Sequence, residues 1–238
     1  MKKLWGFLSL VLLAVLMLTV LPSLLHGAPQ PGGTGAETTT TPPANDDAAF
    51  YHVPIEEGDA VYLRIHASSL PEDASISLSD LRYVHVLHVD AEGKTHEGEL
   101  IVNLAIADDI VEIFRELYKQ AYPIEKMRLV DDYDADDERS MSDNNTSAFN
   151  YRLISGTNRL SRHAQGLAVD VNPLYNPYVK NDTVLPADAA VYADRTQDFS
   201  YKIIEGDLCW TLFTEHGFTW GGSWNTLKDY QHFEYEAP

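Results

Sequence analysis

Apolar and polar positions alternate in short runs over much of the chain. Residues 60–65 and 82–89 have the period-two alternation of half-buried strands. Residues 90–94, which include Gly93, are typical of the turn that follows such a strand. Residues 167–172 form an apolar run that predicts a buried strand ended by Pro173.

Two stretches have helical rather than strand spacing. Residues 104–118 place apolar side chains three to four positions apart with charged residues between them, which predicts a helix. Residues 207–216 predict a second helix, with Gly217 as its left-handed stop. Together these elements predict a small mixed α+β domain, with a central antiparallel sheet and flanking helices.

The N-terminus has a different pattern from the rest of the chain. Met1 and two lysines precede an apolar run that extends to residue 25. This pattern predicts a signal peptide or a signal anchor over residues 1–27, and both alternatives stay open. Residues 28–47 are rich in Pro, Gly and Thr and predict a flexible linker, which leaves a folded domain over residues 48–238.

The net charge and the cysteine content argue against several classes of partner and cross-link. The formal net charge is -19 and the pI is near 4.6, so the surface should repel phosphate backbones, and nucleic acid is not an expected partner. An anionic membrane surface is disfavoured for the same reason, which leaves the N-terminal segment as the only expected membrane contact. Cys209 is the single cysteine, so an intramolecular disulfide is excluded.

Two polar segments contain side chains that could together hold a catalytic zinc, with a structural role as the alternative for His163. His163, Asp170 and His232 provide two imidazoles and a carboxylate, and Asp229 lies three residues before the last imidazole. A catalytic zinc has three protein ligands and one open position, and a nearby carboxylate can act as general base. For His163 to reach the same ion as Asp170, the chain must turn, and Gly166 is the residue best able to permit this.

Other titratable residues are better explained by structural roles than by metal binding. His85 and His88 are separated by an odd number of positions on a predicted strand and should face opposite sides. His216 lies at the end of a predicted helix, where a cation interacts favourably with the helix dipole. The acidic residues 131–138 are consistent with calcium binding, but they lack the glycine and the terminal glutamate of an EF-hand, and a solvated loop is the preferred interpretation.

Several ordered motifs resemble those of the bacterial peptidoglycan zinc metallopeptidases. They are Ser161-x-His163-x-x-Gly166-x-Ala168-x-Asp170, Asn172-Pro173, Asn176-Pro177-Tyr178, Gly217-Phe218-x-Trp220-Gly221-Gly222-x-Trp224 and Asp229-x-x-His232-Phe233-Glu234. The resemblance extends upstream through residues 98–103 and 145–152 and covers about residues 80–238. The family includes D-alanyl-D-alanine carboxypeptidases, vancomycin-resistance dipeptidases and L-alanyl-D-glutamate endopeptidases.

This resemblance implies a role for several residues. It implies that His163, Asp170 and His232 bind one zinc ion per chain and that Asp229 is the base. Arg152 would hold a substrate carbonyl or carboxylate, with a surface ion pair as the alternative. Ser161 and Glu234 are candidates for orienting the metal ligands without binding the metal themselves, although Glu234 can also face solvent. Tyr151, Trp220 and Trp224 could line a substrate groove, but packing is the preferred interpretation and they are given no site role.

The expected function is hydrolysis of a peptidoglycan stem peptide outside the cytoplasm, by a membrane-anchored protein or one secreted to the cell wall. The first candidate is a D-alanyl-D-alanine carboxypeptidase and the second is an L-alanyl-D-glutamate endopeptidase, which the aspartate at position 229 favours. A non-catalytic wall-binding module is the alternative from another class. Stem peptides are the expected partners, and we expect a monomer.

Overall fold

A long antiparallel hairpin and the helix that follows it organise the computed structural model, which describes residues 46–154 and 156–236. The predicted N-terminal segment and nearly all of the predicted linker therefore lie outside the described residues. The strands are β1 (Tyr51–Pro54), β2 (Leu81–Val89), β3 (Thr95–Asn103), β4 (Lys126–Met127), β5 (Asn145–Thr146), β6 (Ala168–Asp170), β7 (Tyr178–Lys180), β8 (Thr183–Leu185), β9 (Phe218–Trp220), β10 (Lys228–Asp229) and β11 (His232–Tyr235).

Four α-helices and several short 3₁₀ helices connect these strands. The α-helices are α1 (Ala60–Ile65), α2 (Ala107–Lys119), α3 (Asp137–Ser142) and α4 (Leu208–Glu215). The 3₁₀ helices are Asp46–Ala49, Leu78–Asp80, Leu104–Ile106, Val130–Tyr133, His163–Gln165, Ala187–Tyr192 and Gly221–Ser223. In the described part of the chain, no helix has both the length and the apolar character needed to cross a membrane.

The predicted α+β class is confirmed, and antiparallel pairing is distributed over three small sheets. Their strand orders are β1-β2-β3, β10-β7-β8 and β6-β11-β9, whereas β4 and β5 form a short parallel pair. The β2–β3 hairpin confirms the strand predicted at residues 82–89, and Asp90 closes its turn by accepting from the backbone of Glu92 and Lys94. The strand predicted at residues 167–172 is present as the shorter β6.

Both predicted helices are present. The first begins as the 3₁₀ turn Leu104–Ile106 and continues as α2, whose inner face is buried. The second is α4, where Asp207 caps the N-terminus by accepting from the Trp210 amide at 2.7 Å. Gly217 follows α4 with φ +86°, which confirms it as the left-handed stop.

The strand predicted at residues 60–65 is wrong, because this segment forms α1. Asp59 provides an N-cap that accepts from the Tyr62 amide at 2.7 Å, and such a cap satisfies donors that a helix start leaves free. Val61 and Ile65, four positions apart, both pack on the cluster beneath the β2–β3 hairpin. Local capping and one buried helical face therefore outweigh the period-two alternation.

One hydrophobic core joins the long hairpin, the two longer helices and the strands β6, β9 and β11. Phe213 of α4 stacks on Phe233 of β11 with ring centroids 4.2 Å apart, and both side chains are fully buried. Phe114 of α2 meets Phe213 edge to face at 6.1 Å. Because β11 is anchored through Phe233, the position of this strand is fixed by the same packing that holds the helices.

Gly166 is expected to be the least replaceable of the left-handed glycines. Its φ is +66°, and a Cβ at this position would lie 2.6 Å from the backbone nitrogen of Asn103. An alanine here combines backbone strain of about 1–2 kcal/mol with overpacking of about 1–3 kcal/mol. We therefore expect Gly166→Ala to lower the free energy of unfolding by several kcal/mol, measured by urea denaturation.

Gly58→Ala is the matched control for this substitution. Its φ is +87°, but nothing lies within 4 Å of the added Cβ, so only the backbone strain should appear. Equal losses of stability in the two variants would show that the close approach to Asn103 does not constrain the turn.

Candidate metal centre

Two donor side chains face each other across the strand pair β6–β11. His232 is directly opposite Asp170 in the antiparallel register, and the next pair is Phe233 with Val169. Because side chains alternate along a strand, Phe233 and Val169 enter the core while Asp170 and His232 project from the other face. The alternation of side chains along β6 and β11 therefore directs apolar residues into the core and both donors to the opposite face.

A tight turn supplies the third donor. His163 begins the 3₁₀ turn His163–Gln165, and the Gly166 amide donates to the His163 carbonyl at 3.0 Å. Ser161 supports the same turn, since its hydroxyl accepts from the His163 amide at 3.2 Å. The structure thus places Gly166 at the turn that the sequence requires and Ser161 directly behind His163.

The three donors lie at the spacing of ligands around one small cation. His163 Nε2 is 3.2 Å from His232 Nδ1 and 3.2 Å from Asp170 Oδ2, and His232 Nδ1 is 2.9 Å from Asp170 Oδ1. All three residues are buried, and each can offer one ligand atom within 4.8 Å of the others. A tetrahedral zinc with bonds of about 2.0–2.1 Å has ligand atoms about 3.3 Å apart.

Hydrogen bonds on the far side of each ring set which nitrogen faces the centre. His163 Nδ1 lies 2.5 Å from the Ala148 carbonyl, so Nδ1 carries the proton and Nε2 presents a lone pair. His232 Nε2 lies 3.2 Å from Glu234 Oε2, so the proton resides on Nε2 and Nδ1 faces inward. Glu234 can reach this ring because residues two apart on β11 share a face.

This arrangement fits a divalent cation. Without a cation, a proton balances the Asp170 carboxylate: burial opposes it, but the hydrogen bonds to Asp170 and Glu234 raise the pKa of His232 to about 10. A divalent cation would replace that proton and bind both imidazoles in their neutral form. Burial alone would raise the pKa of Asp170, but the charges and hydrogen bonds of His163 and His232 lower it below its usual range. The ionised carboxylate and the two imidazoles form a donor set suited to zinc.

Asp229 lies beside this set but belongs to another sheet. It is in β10, which pairs with β7, and the chain bends at Tyr230 before His232 begins β11. The Tyr230 amide donates to the Pro177 carbonyl at 3.3 Å. A close approach to Gly221 fixes this bend, because a Cβ on Gly221 would lie 2.6 Å from the Asp229 carbonyl oxygen.

The carboxylate of Asp229 is held without hydrogen bonds of its own. Its Oδ1 atom is buried and has no hydrogen-bond partner among the described residues. Burial raises the pKa of Asp229 to about 7, while the charges of His232 and His163 oppose this increase. A cation held by the three donors would favour the ionised form, which is the form that accepts a proton.

Arg152 lies within electrostatic range of Asp229 and forms an ion pair. Its Nη2 is 2.7 Å from Asp137 Oδ2, and its charge lowers the pKa of Asp229. The Nε atom of Arg152 is buried and unpartnered among the described residues. The ion pair anticipated for Arg152 is therefore present, and one guanidinium edge still has a free donor.

Three histidines outside the donor set form structural contacts. His85 and His88 bond backbone carbonyls of Ala49 and Ile124, each at 2.7 Å, from different sides of β2. His216 pairs with Asp109 at 2.8 Å, near the start of α2.

The acidic segment 131–138 also has separate partners. Asp131 accepts from Ser69, Asp132 pairs with Arg64 at 3.0 Å, and Asp137 pairs with Arg152. Among residues 46–154 and 156–236, these carboxylates do not join a group able to share a cation. The solvated loop predicted here is wrong, because the segment contributes to the 3₁₀ helix Val130–Tyr133 and to α3, and its carboxylates have specific partners.

Three contributors to the site were not identified from the sequence. The Ala148 carbonyl is a backbone group, so no side-chain pattern reveals its contact with His163. Asp137 is separated from Arg152 by fifteen positions and looks like one of many surface acids. Trp224 packs half-buried against the ligand His232, with ring centroids 5.5 Å apart. Its position in the Gly-Gly-x-Trp motif was the available signal.

One comparison with known proteins finds a match within this region. The family model described as D-alanyl-D-alanine carboxypeptidase matches residues 155–235. The match contains His163, Asp170, Asp229 and His232, and it confirms the resemblance to peptidoglycan metallopeptidases, a family of hydrolases, over these residues. No curated protein and no solved structure matches the chain significantly.

We expect the purified protein to bind one zinc ion per chain, measured by elemental analysis after dialysis against a zinc buffer. His163→Ala, Asp170→Asn and His232→Ala should each lose the ion, because each removes one of three donors. Glu234→Gln should weaken zinc affinity about 10- to 100-fold while the three donors stay in place.

His216→Ala is the matched histidine control, since its ring pairs with Asp109 and lies outside the donor set. Full zinc content in the donor variants, or equal loss in His216→Ala, would contradict this assignment.

Proposed function

We propose that this chain is a zinc-dependent peptidase that hydrolyses the peptidoglycan stem peptide, with the terminal D-alanyl-D-alanine bond as its substrate. Three features support the proposal. The family match supports a peptidase, the three buried donors have the chemistry and spacing that zinc requires, and a spare carboxylate lies beside them.

The observation that carries the proposal is the environment of Asp229. A buried carboxylate oxygen without a hydrogen-bond partner is costly, and such groups are usually retained for a function. Burial raises the pKa of Asp229 to about 7, and the charges of His232, Asp170 and His163 also act on it, which supports a role beside the donor set. A non-catalytic wall-binding module would have no need of this group.

Each residue of the site has a separate role in the proposed hydrolysis. Zinc bound by His163, Asp170 and His232 would supply a Lewis acid that activates water and polarises a peptide carbonyl. Asp229 accepts the proton that the attacking water loses as its oxygen bonds to the carbonyl carbon. Asp229 then gives this proton to the leaving amine as the C–N bond breaks, so the carboxylate is regenerated.

Arg152 stabilises the negative charge that develops on the carbonyl oxygen. A guanidinium that is already oriented loses little entropy when it binds an anion, and Asp137 supplies that orientation through its 2.7 Å ion pair. The Arg152 side chain is 32% exposed, so its guanidinium is accessible to a substrate carbonyl. Loss of one such donor costs about 2.7–4 kcal/mol in known acyl-transfer sites.

The location of the protein is part of the proposal. The lysines and apolar run at the N-terminus support export, and the chain would then act at the cell wall as an anchored or secreted enzyme. The formal net charge of -19 does not favour another contact with an anionic membrane. N-terminal sequencing of the protein recovered from a cell envelope fraction distinguishes a retained segment from a cleaved one.

We expect the zinc-loaded protein to release D-alanine from a stem pentapeptide, detected by mass spectrometry of the products. Asp229→Asn should retain its zinc and lose turnover by about 10²- to 10⁴-fold, because the amide cannot accept the proton. Removal of zinc with a chelator should abolish turnover, and added zinc should restore it.

Asp182→Asn is the control, since it makes the same substitution at an exposed position between β7 and β8. Cleavage between L-alanine and D-glutamate instead would identify an endopeptidase. Zinc binding without cleavage of either bond would identify a non-catalytic module.

A further inference from the structure

The segment that carries the first metal ligand has an unusual charge for this chain. The protein has 36 acidic and 17 basic residues, yet residues 144–169 contain no Asp or Glu and three arginines. These are Arg152, Arg159 and Arg162. A peptide anion approaching a strongly acidic protein is repelled, so a local positive segment beside the site favours binding of negatively charged substrate groups.

Backbone hydrogen bonds fix Arg162 next to the ligands. It directly precedes His163, and its carbonyl accepts from the Leu167 amide at 3.0 Å, immediately before β6. The first residue of β6, Ala168, is directly opposite Glu234. Arg162 is therefore anchored at the edge of the strand pair that presents the metal ligands.

Glu234 in turn lies beside a metal ligand, since its Oε2 is 3.2 Å from His232 Nε2. The strand edge to which Arg162 is anchored therefore adjoins the donor set.

The two arginines differ in what already holds them. Arg152 is paired with the Asp137 carboxylate at 2.7 Å. Arg162 donates from Nη1 to the neutral amide oxygen of Gln165 at 3.1 Å, and within residues 46–154 and 156–236 it forms no ion pair. Its guanidinium is half-buried and retains donors for an anionic group.

We propose that Arg162 is a specificity-determining residue that binds a carboxylate of the peptide substrate, in the first place its C-terminal carboxylate. A guanidinium presents paired N–H donors that match a carboxylate. A substrate held by Arg162 at its terminus and by Arg152 at its scissile carbonyl has its cleavable bond close to that terminus. This assignment rests on the proposed peptidase function and makes the enzyme a carboxypeptidase.

The test measures peptide binding separately from cleavage. The probe is L-alanyl-D-isoglutamyl-L-lysyl-D-alanyl-D-alanine, titrated calorimetrically into zinc-loaded Asp229→Asn, which binds without turnover. We expect adding Arg162→Gln to weaken binding of this free acid about 10- to 100-fold, as for loss of a charge-assisted hydrogen bond. Arg162→Lys should give an intermediate loss, because it keeps the charge without the paired donors.

Arg159→Gln is the matched control, since it removes the same charge from an exposed position in the same segment. We expect it to change binding by no more than about twofold, as for an exposed charge screened by salt. The C-terminal amide of the probe should bind weakly, and Arg162→Gln should not weaken it further. If the Arg162 effect instead disappears only when the isoglutamyl carboxylate is amidated, the residue binds that internal carboxylate.

Equal losses of peptide affinity in Arg162→Gln and Arg159→Gln would overturn the proposal. Such a result would reflect a general electrostatic attraction of the segment rather than a specific contact. An Arg162 effect that persists in both amidated probes, or loss of zinc from Arg162→Gln, would also overturn it. Wild-type cleavage of the pentapeptide without any Arg162 effect refutes this inference alone. Arg162-dependent binding without cleavage refutes the proposed hydrolysis alone.

Discussion

The antiparallel register of β6 and β11 is the constraint on which the metal centre depends. It sets Asp170 directly opposite His232 and Val169 opposite Phe233. A slip of one residue would reverse every side chain, so the ligands would enter the core and Phe233 would leave it. The stacking of Phe233 on Phe213 therefore holds the ligands in place, although neither ring is one of the metal donors.

Around this pair, each donor is oriented by a contact behind it. The Ala148 carbonyl directs the ring of His163, and Glu234 directs the ring of His232. These contacts fix two lone pairs toward the same point as the Asp170 carboxylate. Concentrating such groups in a buried place is unfavourable for the protein alone, and a bound cation offsets that cost. The unpaired Asp229 carboxylate adds to the same negative environment.

The sequence predicted a feature correctly where that feature depends on the type of a side chain or on a pattern within one segment. The turn at Gly166 could be proposed from residue type and spacing, and the donors His163, Asp170 and His232 from these together with the family resemblance. Helix α2 was predictable because its buried face repeats with helical period over thirteen residues. The segment 60–65 was predicted as a strand, because six residues are too few to separate the two periods and the cap at Asp59 decides the outcome.

Residue identity and spacing by themselves determined which donors were available, that the donor strand is buried, and that a turn must precede it. Only the tertiary structure decided that donors separated by sixty-two positions meet, because strand register is set by packing between distant segments. It also decided that Asp137 orients Arg152 and that Arg162 has no carboxylate partner among the described residues. Such pairings depend on through-space distances, which a linear sequence does not specify.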